Sequence, residues 1–178
     1  MIVVFLANGF EEIEALTTVD ILRRAGLTVR TVGIGGHTIV GAHGIAVQAD
    51  STVLPPYGEL EAVILPGGLP GTTNLAASAV VTKCVTEAAE RGILVCAICA
   101  APSVLGNLGL LRGKRATCYP GWESQLLGAT VSSESVAVDD GVVTAKGAGV
   151  TVEFALAIVS YLISPDKARE IGDAMQCR

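Results

Sequence analysis

The sequence predicts an α/β fold, a mainly parallel sheet with helices on both faces. Three observations lead there. Short apolar runs alternate along the chain with amphipathic segments of helical length, as in parallel strands joined by helical crossovers. Those runs are continuously apolar rather than alternating, which suits strands buried on both faces. Hydrophobic residues make up 51% of the chain, only 4% are aromatic, and mean hydropathy is +0.58. The excess is Ala, Val, Ile and Leu, material for a doubly covered sheet or in part for a subunit interface.

Ile2–Leu6 reads as the first strand. Asn8-Gly9 turns the chain into Glu11–Ala25, whose acidic first turn suits a helix start and which Gly26 ends. Thr28–Val32 is a second strand, and Thr38–Asp50, with its glycines and alternation, reads as a hairpin or excursion. Ala62–Leu65 is a buried strand ending at Pro66-Gly67-Gly68. A helix spans roughly Ser78–Arg91, closed by Gly92. The apolar run from Ile93 leads to Cys99, and a helix runs from there to about Asn107. Ala116–Cys118 and Thr130–Val131 are weaker strands. Val136–Val138 and Val142–Ala145 flank Asp139-Asp140-Gly141, a hairpin signal. Val150–Leu162 is an apolar helix, and Ser164-Pro165-Asp166 opens a last short one. No repeat, low-complexity tract or linker interrupts the chain, so residues 1–178 are expected to form one domain.

Composition narrows the function classes. A net charge of −5 without a basic block gives no electrostatic footprint for nucleic acid. No apolar run is long enough to span a bilayer, so no membrane partner is expected. The chain enters a strand at Ile2, so no secretory leader is expected. Five cysteines, an odd count, fit a reducing compartment, and a cytoplasmic protein is expected.

Strand ends are where ligands bind in such sheets, and three features collect there: Asn8–Glu14, Pro66–Gly68 and Cys99. Cys99 sits where an apolar strand stops and a helical pattern of small residues begins, flanked by Ala97 and Ala101. Nucleophile elbows have this layout, and a helix start favours thiolate over thiol. A free cysteine is more often a buried structural residue, and the local pattern leaves both readings open. Glu11 and Glu12 read as carboxylates complementing the helix dipole. Glu14 shares a stripe with Thr18, Ile21 and Ala25 that can turn inward. A carboxyl held there beside a thiolate would have its pKa raised and would serve as a hydrogen-bond donor or acid/base. Gly67-Gly68 reads by itself as a tight turn. It would also let the Gly68 N–H join that of Ala100 in an oxyanion hole. Cys96-x-x-Cys99 places Cys96 inside the strand, which argues against a disulfide, and Cys84, Cys118 and Cys177 lack zinc-site spacing. The two histidines, His37 and His43, lie in the glycine-rich excursion far from the elbow in sequence.

In combination, Asn8-Gly9-Phe10-Glu11-Glu12-Ile13-Glu14, Leu65–Gly68, Ala97–Pro102 and Gly147–Val159 resemble the ThiJ/PfpI superfamily, in the branch of the Parkinsonism-associated protein deglycase. The resemblance covers essentially the whole chain. It implies a flavodoxin-like three-layer α/β/α sandwich, usually homodimeric. It implies that Cys99 is the low-pKa, oxidation-prone thiol, that Glu14 hydrogen-bonds it, and that Gly68 and Ala100 hold the oxyanion. The implied chemistry is free of cofactor and metal. One form is a glyoxalase III-like lyase or deglycase-type hydrolase acting on small aldehydes or glycated substrates. The other is a non-enzymatic oxidative-stress sensor or chaperone-like protein working through oxidation of Cys99. Whether the chain is an enzyme stays open at this stage.

The chain departs from the family pattern in one place. The family's Thr-His-Pro-like segment is here Thr117-Cys118-Tyr119-Pro120, so Tyr119 stands where a histidine is expected. Phenols ionise near pH ~10, so Tyr119 is expected to donate a hydrogen bond or a proton rather than act as a base. The residue after the cysteine is Ala100, not the histidine of the protease-like branch, so protease activity is not expected. Gly41-Ala42-His43-Gly44 matches a loop that packs near the partner's site in family dimers, which makes His43 a candidate contributor in trans.

Overall fold

The computed structural model describes residues 1–177, so Arg178, the last residue of the expected domain, lies outside the described residues. The chain runs β1 (Ile2–Ala7), α1 (Glu12–Arg24), β2 (Val29–Ile34), β3 (Thr38–Val40), β4 (Ala46–Gln48) and β5 (Ala62–Leu65). It continues through α2 (Gly71–Ala77), α3 (Ala79–Glu90), β6 (Leu94–Ile98), α4 (Pro102–Asn107), β7 (Arg115–Ala116) and β8 (Thr130–Val131). It ends with β9 (Val136–Asp139), β10 (Val142–Ala145), α5 (Thr151–Leu162) and α6 (Pro165–Ala174). The main sheet has the order β2-β1-β5-β6-β10-β9, parallel except for the β9–β10 hairpin at one edge.

Alternate residues of the central strands feed two separate cores, which makes the fold a three-layer α/β/α sandwich. Ile2, Val4, Leu6, Ile64, Cys96 and Ile98 pack under α1 and α5. Val3, Phe5, Ala7, Val63, Leu65, Val95 and Ala97 pack under α3 and α4. Every residue of β1, β5 and β6 is buried, so the absence of polar alternation in the sequence reflects two covered faces. Local chemistry sets the helix ends. Glu12 and Glu14 occupy the first turn of α1 and Arg23 and Arg24 its last, complementing the dipole. Ser78 and Ser164 cap α3 and α6 through hydrogen bonds accepted from Val81 and Lys167 N–H groups.

The structure departs from the sequence reading in three places. The helix α2 was not expected. It has no side-chain cap and begins at a glycine, and tertiary bonds fix it: Gly71 N–H to Gly9 O at 3.1 Å and Asn74 Nδ2 to Asn8 O at 2.8 Å. The weaker strands pair with each other as β7 and β8, outside the main sheet, and the first of them stops at Ala116. The helix after Cys99 begins only at Pro102 and has six residues.

The order reverses between β1 and β5: the chain moves outward to β2 in one direction, then to β6 and β10 in the other. Ligands bind at such a switch point, beyond the carboxyl ends of the strands. The ends of β1, β5 and β6 deliver Glu14, Gly67-Gly68 and Cys99 to this one place.

Candidate active site

Cys99 follows the last residue of β6 with φ of +66°, a left-handed conformation that non-glycine residues seldom adopt. Two bonds hold the strained turn. The Cys99 N–H donates to Ala145 O at the end of β10 (2.9 Å), and Cys99 O accepts from the Tyr119 N–H (2.8 Å). Surroundings that over-determine such a conformation mark a functional position, and here they present the thiol at the surface end of the sheet. Cys99 is half-buried, whereas Cys84, Cys96 and Cys118 are buried; all five cysteines are free. The elbow expected from the sequence is present. Cys96 lies within β6, as its position in the apolar run implied.

Glu14 lies in the first turns of α1, and its stripe, Glu14, Thr18, Ile21 and Ala25, is buried as its spacing predicted. The Glu14 side chain is only 1% exposed. Its Oε2 accepts from the Gly67 N–H at 2.8 Å, while Oε1 is buried without an N–H or O–H partner. The neighbour of the carboxylate is the Cys99 thiol, a weak sulfur donor outside the geometry of a full hydrogen bond. Burial drives the Glu14 pKa up to about 7, with the Gly67 N–H and the thiol pulling the other way.

Burial, and then the charge of Glu14, push the Cys99 thiol up to about 12. The N–H groups of Gly68 and Ala100 approach the sulfur and act in the opposite sense. Burial and the Glu14 charge both act against the standing low-pKa thiolate that the resemblance implies. The six-residue α4 begins three residues beyond the sulfur, so its dipole is a minor contribution, and the nearest charge is negative. Between about pH 7 and 12 the two groups carry one proton and one negative charge between them. In that state the carboxylate is placed to take the proton from sulfur.

Gly67 and Gly68 are required by close approach and by conformation. A Cβ on Gly67 would lie 2.6 Å from Cys99 Cβ and 2.7 Å from Glu14 Oε2, and Gly68 has φ of +87°. Gly67→Ala is therefore expected to separate the carboxyl from the thiol. The expected cost is about 1–3 kcal/mol of stability, with loss of whatever chemistry the pair supports. Denaturant unfolding together with the pH dependence of Cys99 alkylation checks this.

A cavity of about 220 Å³ opens over the sulfur, walled by Gly68, Leu69, Cys99, Ala100, Tyr119 and Trp122. Tyr119 takes its place there because its backbone N–H binds Cys99 O, and the preceding Thr117 N–H binds Thr144 Oγ1 at 2.9 Å. Gly147 supports it: a Cβ there would lie 3.3 Å from the Tyr119 ring and 3.9 Å from Cys99 Sγ. The sequence reading missed Leu69, Trp122 and Gly147. The available signal was Trp122, the chain's only tryptophan, three residues after Tyr119 and directly after Pro120-Gly121.

His43 is not at the Cys99 cavity of its own chain. Its Nδ1 lies 2.9 Å from Glu12 Oε2 and 3.7 Å from Glu11 Oε1. Glu12 does more than complement the helix dipole. Only 5% exposed, it also accepts from the backbone N–H groups of His43 (2.8 Å) and Ile45 (3.4 Å), latching the β3–β4 loop onto α1. Among the described residues Glu11, Glu12 and His43 are the group whose metal-ligating atoms converge, within 4.8 Å, but these hydrogen bonds already close it as an ion pair. Glu12 and its neighbour Glu11 raise the His43 pKa above its usual 6.5, and the same contacts hold the Glu12 pKa below 4.5. The stabilisation from His43 is complete below about pH 6.5 and fades as pH rises through the raised value. That from Glu12 is lost as pH falls through its lowered value. A His43→Ala variant should melt below wild type by its largest margin near pH ~5.5, and the margin should shrink toward pH ~8.5, as read by thermal denaturation.

Residues 1–161 match the DJ-1/PfpI family. The chain is 37% identical over 178 residues to Protein DJ-1 homolog B of Arabidopsis thaliana, covering 97% of this chain and 40% of the relative's length. It is 33% identical over 164 residues to the glutathione-independent glyoxalase DJR-1.2 of Caenorhabditis elegans, covering 90% of this chain and 87% of that protein. Oxidized DJ-1 of Toxoplasma gondii superimposes with a TM-score of 0.93 at 31% identity, covering 98% of this chain and 97% of the other. The elbow, the buried glutamate and these similarities, which span nine-tenths or more of this chain, place it in the DJ-1/PfpI family, to which it belongs.

Proposed function

We propose that the protein converts small 2-oxoaldehydes to 2-hydroxy acids through Cys99 and Glu14. The observation that carries this reading is Glu14 Oε1, a buried carboxylate oxygen without an N–H or O–H partner, next to a half-buried thiol that opens into a cavity. A buried acceptor left unpaired costs stability, and a reaction that moves protons on and off it gives it a role. Glu14 takes the proton from Cys99 as sulfur attacks the aldehyde carbon. A C–S bond forms, and the carbonyl pair moves to oxygen facing the N–H groups of Gly68 and Ala100. That oxyanion receives the proton back from Glu14 and becomes a hemithioacetal. Glu14 then removes the hydrogen on the former aldehyde carbon and returns a proton to the adjacent carbon, while the hemithioacetal hydroxyl gives up its proton and the ketone oxygen takes one. The aldehyde carbon is thereby oxidised to a thioester and the ketone reduced to an alcohol. Water cleaves the thioester, releasing the 2-hydroxy acid and restoring the thiol. The balance is one 2-oxoaldehyde and one water to one hydroxy acid, with no outside oxidant or reductant. The glyoxalase name of the Caenorhabditis elegans relative supports the reading. Tyr119 replaces the family histidine, and Glu14 alone supplies the base.

The assay is hydroxy-acid formation from methylglyoxal in the presence of a chelator, comparing wild type with Cys99→Ala. A second reading, oxidation sensing, is supported by the position of half-buried Cys99 at an open cavity, by the N–H groups beside its sulfur, and by the oxidized state of the Toxoplasma gondii structure. Absence of turnover, with peroxide adding oxygen to Cys99 before Cys84 by intact and peptide mass, would decide for it. We further propose a homodimer. The exposed apolar residues Ile13, Leu16, Val40 and Ile45, on α1 and the β3–β4 hairpin, support it. Among the described residues no helix is long and apolar enough to cross a membrane.

A further inference from the structure

We propose that Trp122, with Leu69 and Tyr119, makes the mouth of the Cys99 cavity select uncharged aldehydes bearing a flat apolar substituent and turn away aldehydes bearing a carboxylate. This rests on the reading of Cys99 as the nucleophile toward aldehydes and goes further in naming the substrate class.

The walls carry the argument. Three large apolar or aromatic side chains surround the sulfur, and the remaining lining residues are Gly68 and Ala100. Leu69 is 54% and Tyr119 51% exposed, so the cavity mouth offers apolar surface directly to an entering substrate. Trp122 is half-buried and packs against the core under α3 and α4, which holds it as one wall of the cavity. A cavity of about 220 Å³ admits one small planar group beside the reacting carbon and little more.

Charge argues in the same direction. Among the described residues no cation lines the cavity. Lys146 lines the neighbouring cavity with Glu123 and Cys118, and its ammonium donates to Ser133 O at 2.7 Å. The charge nearest the sulfur is Glu14, the base itself. A substrate carboxylate would therefore lose water against apolar walls, meet no counter-charge from the same chain and be repelled by Glu14. An aromatic substituent gains stacking and apolar contact with Trp122 and Tyr119.

Two measurements test this. In steady-state kinetics, wild type should show kcat/KM for phenylglyoxal about 10-fold above that for methylglyoxal. Trp122→Ala should collapse that ratio to about 1–2, and Trp122→Phe, which keeps a flat apolar wall, should retain most of it. An unchanged ratio in a folded Trp122→Ala protein overturns the proposal. The second measurement does not need turnover or a variant. The chain has one tryptophan, so its emission reports on this wall alone. 4-Formylbenzamide should alter that emission saturably, and 4-carboxybenzaldehyde, of nearly the same size and shape but charged, should bind at least about 10-fold more weakly. Equal binding of the two, or none of either, overturns the proposal. Discrimination between these two aldehydes without turnover of any glyoxal keeps the selection and removes the reaction. Turnover of glyoxals without discrimination keeps the reaction and removes the selection.

Discussion

A Cys99→Ala protein will form hydroxy acid from methylglyoxal no faster than buffer does, a loss of roughly 10³-fold or more relative to wild type. The size of the effect follows from the sulfur's role. Each later step of the proposed reaction takes place on the carbon bonded to Cys99, so removing the thiol removes every intermediate rather than one interaction. The fold should survive. Cys99 is half-buried, its backbone bonds to Ala145 and Tyr119 do not involve the side chain, and alanine meets the same φ of +66°. A melting temperature within about 4 °C of wild type is expected. Comparable turnover by the folded variant would remove the nucleophile from the mechanism and leave Glu14 and the backbone N–H groups to explain the reaction.

The second large effect belongs to Glu14→Gln, and it has two signatures of opposite sign. Turnover should fall by roughly 10²–10⁴-fold, the usual worth of a positioned acid/base group. In wild type, kcat/KM should rise with pH through about 7. Below that value Glu14 is protonated and cannot take the proton from sulfur. This limb should vanish in the variant. Stability should move the other way. The pKa of Glu14 is 4.5 when the chain is unfolded and about 7 when it is folded, so the neutral carboxyl suits the native state and the carboxylate strains it. Stability from this group is highest below pH 4.5 and falls as pH rises to about 7, by about 3 kcal/mol at ~1.4 kcal/mol per pH unit. Glutamine keeps an acceptor for the Gly67 N–H without the charge. Glu14→Gln should therefore be more stable than wild type at pH ~8, by about 1–3 kcal/mol in denaturant unfolding, and equal to it near pH ~5. A stability function at carboxylate positions, traded for reactivity, predicts this pairing; a purely structural Glu14 predicts that the variant is weaker at both pH values.

The pattern of apolar runs made the sheet legible, because strands buried on both faces leave no polar alternation to confuse with anything else. The elbow at Cys99 and the inward stripe of Glu14 were legible for the same reason: each is a local pattern with a geometric consequence, period 3.6 for the stripe and an abrupt strand end for the thiol. What stayed hidden had its cause elsewhere in the chain. The helix α2 lacks caps and is held by Gly9 and Asn8, more than sixty residues earlier. Glu12 looked like an ordinary first-turn carboxylate until the β3–β4 loop closed over it. Trp122, in a segment with no regular period, entered the site only because Tyr119 is tied to Cys99 and the loop follows.

The sequence by itself determined the α/β/α layering and brought Cys99, Glu14 and Gly67-Gly68 to strand ends, since periodicity and strand termination are written residue by residue; that this thiol and this carboxyl pair was what the family resemblance implied. The tertiary structure alone decided the protonation of that pair and the walls around it. A pKa depends on how much water and which charges surround a group, and a cavity on which distant loops converge. Neither is a property of any short stretch of chain.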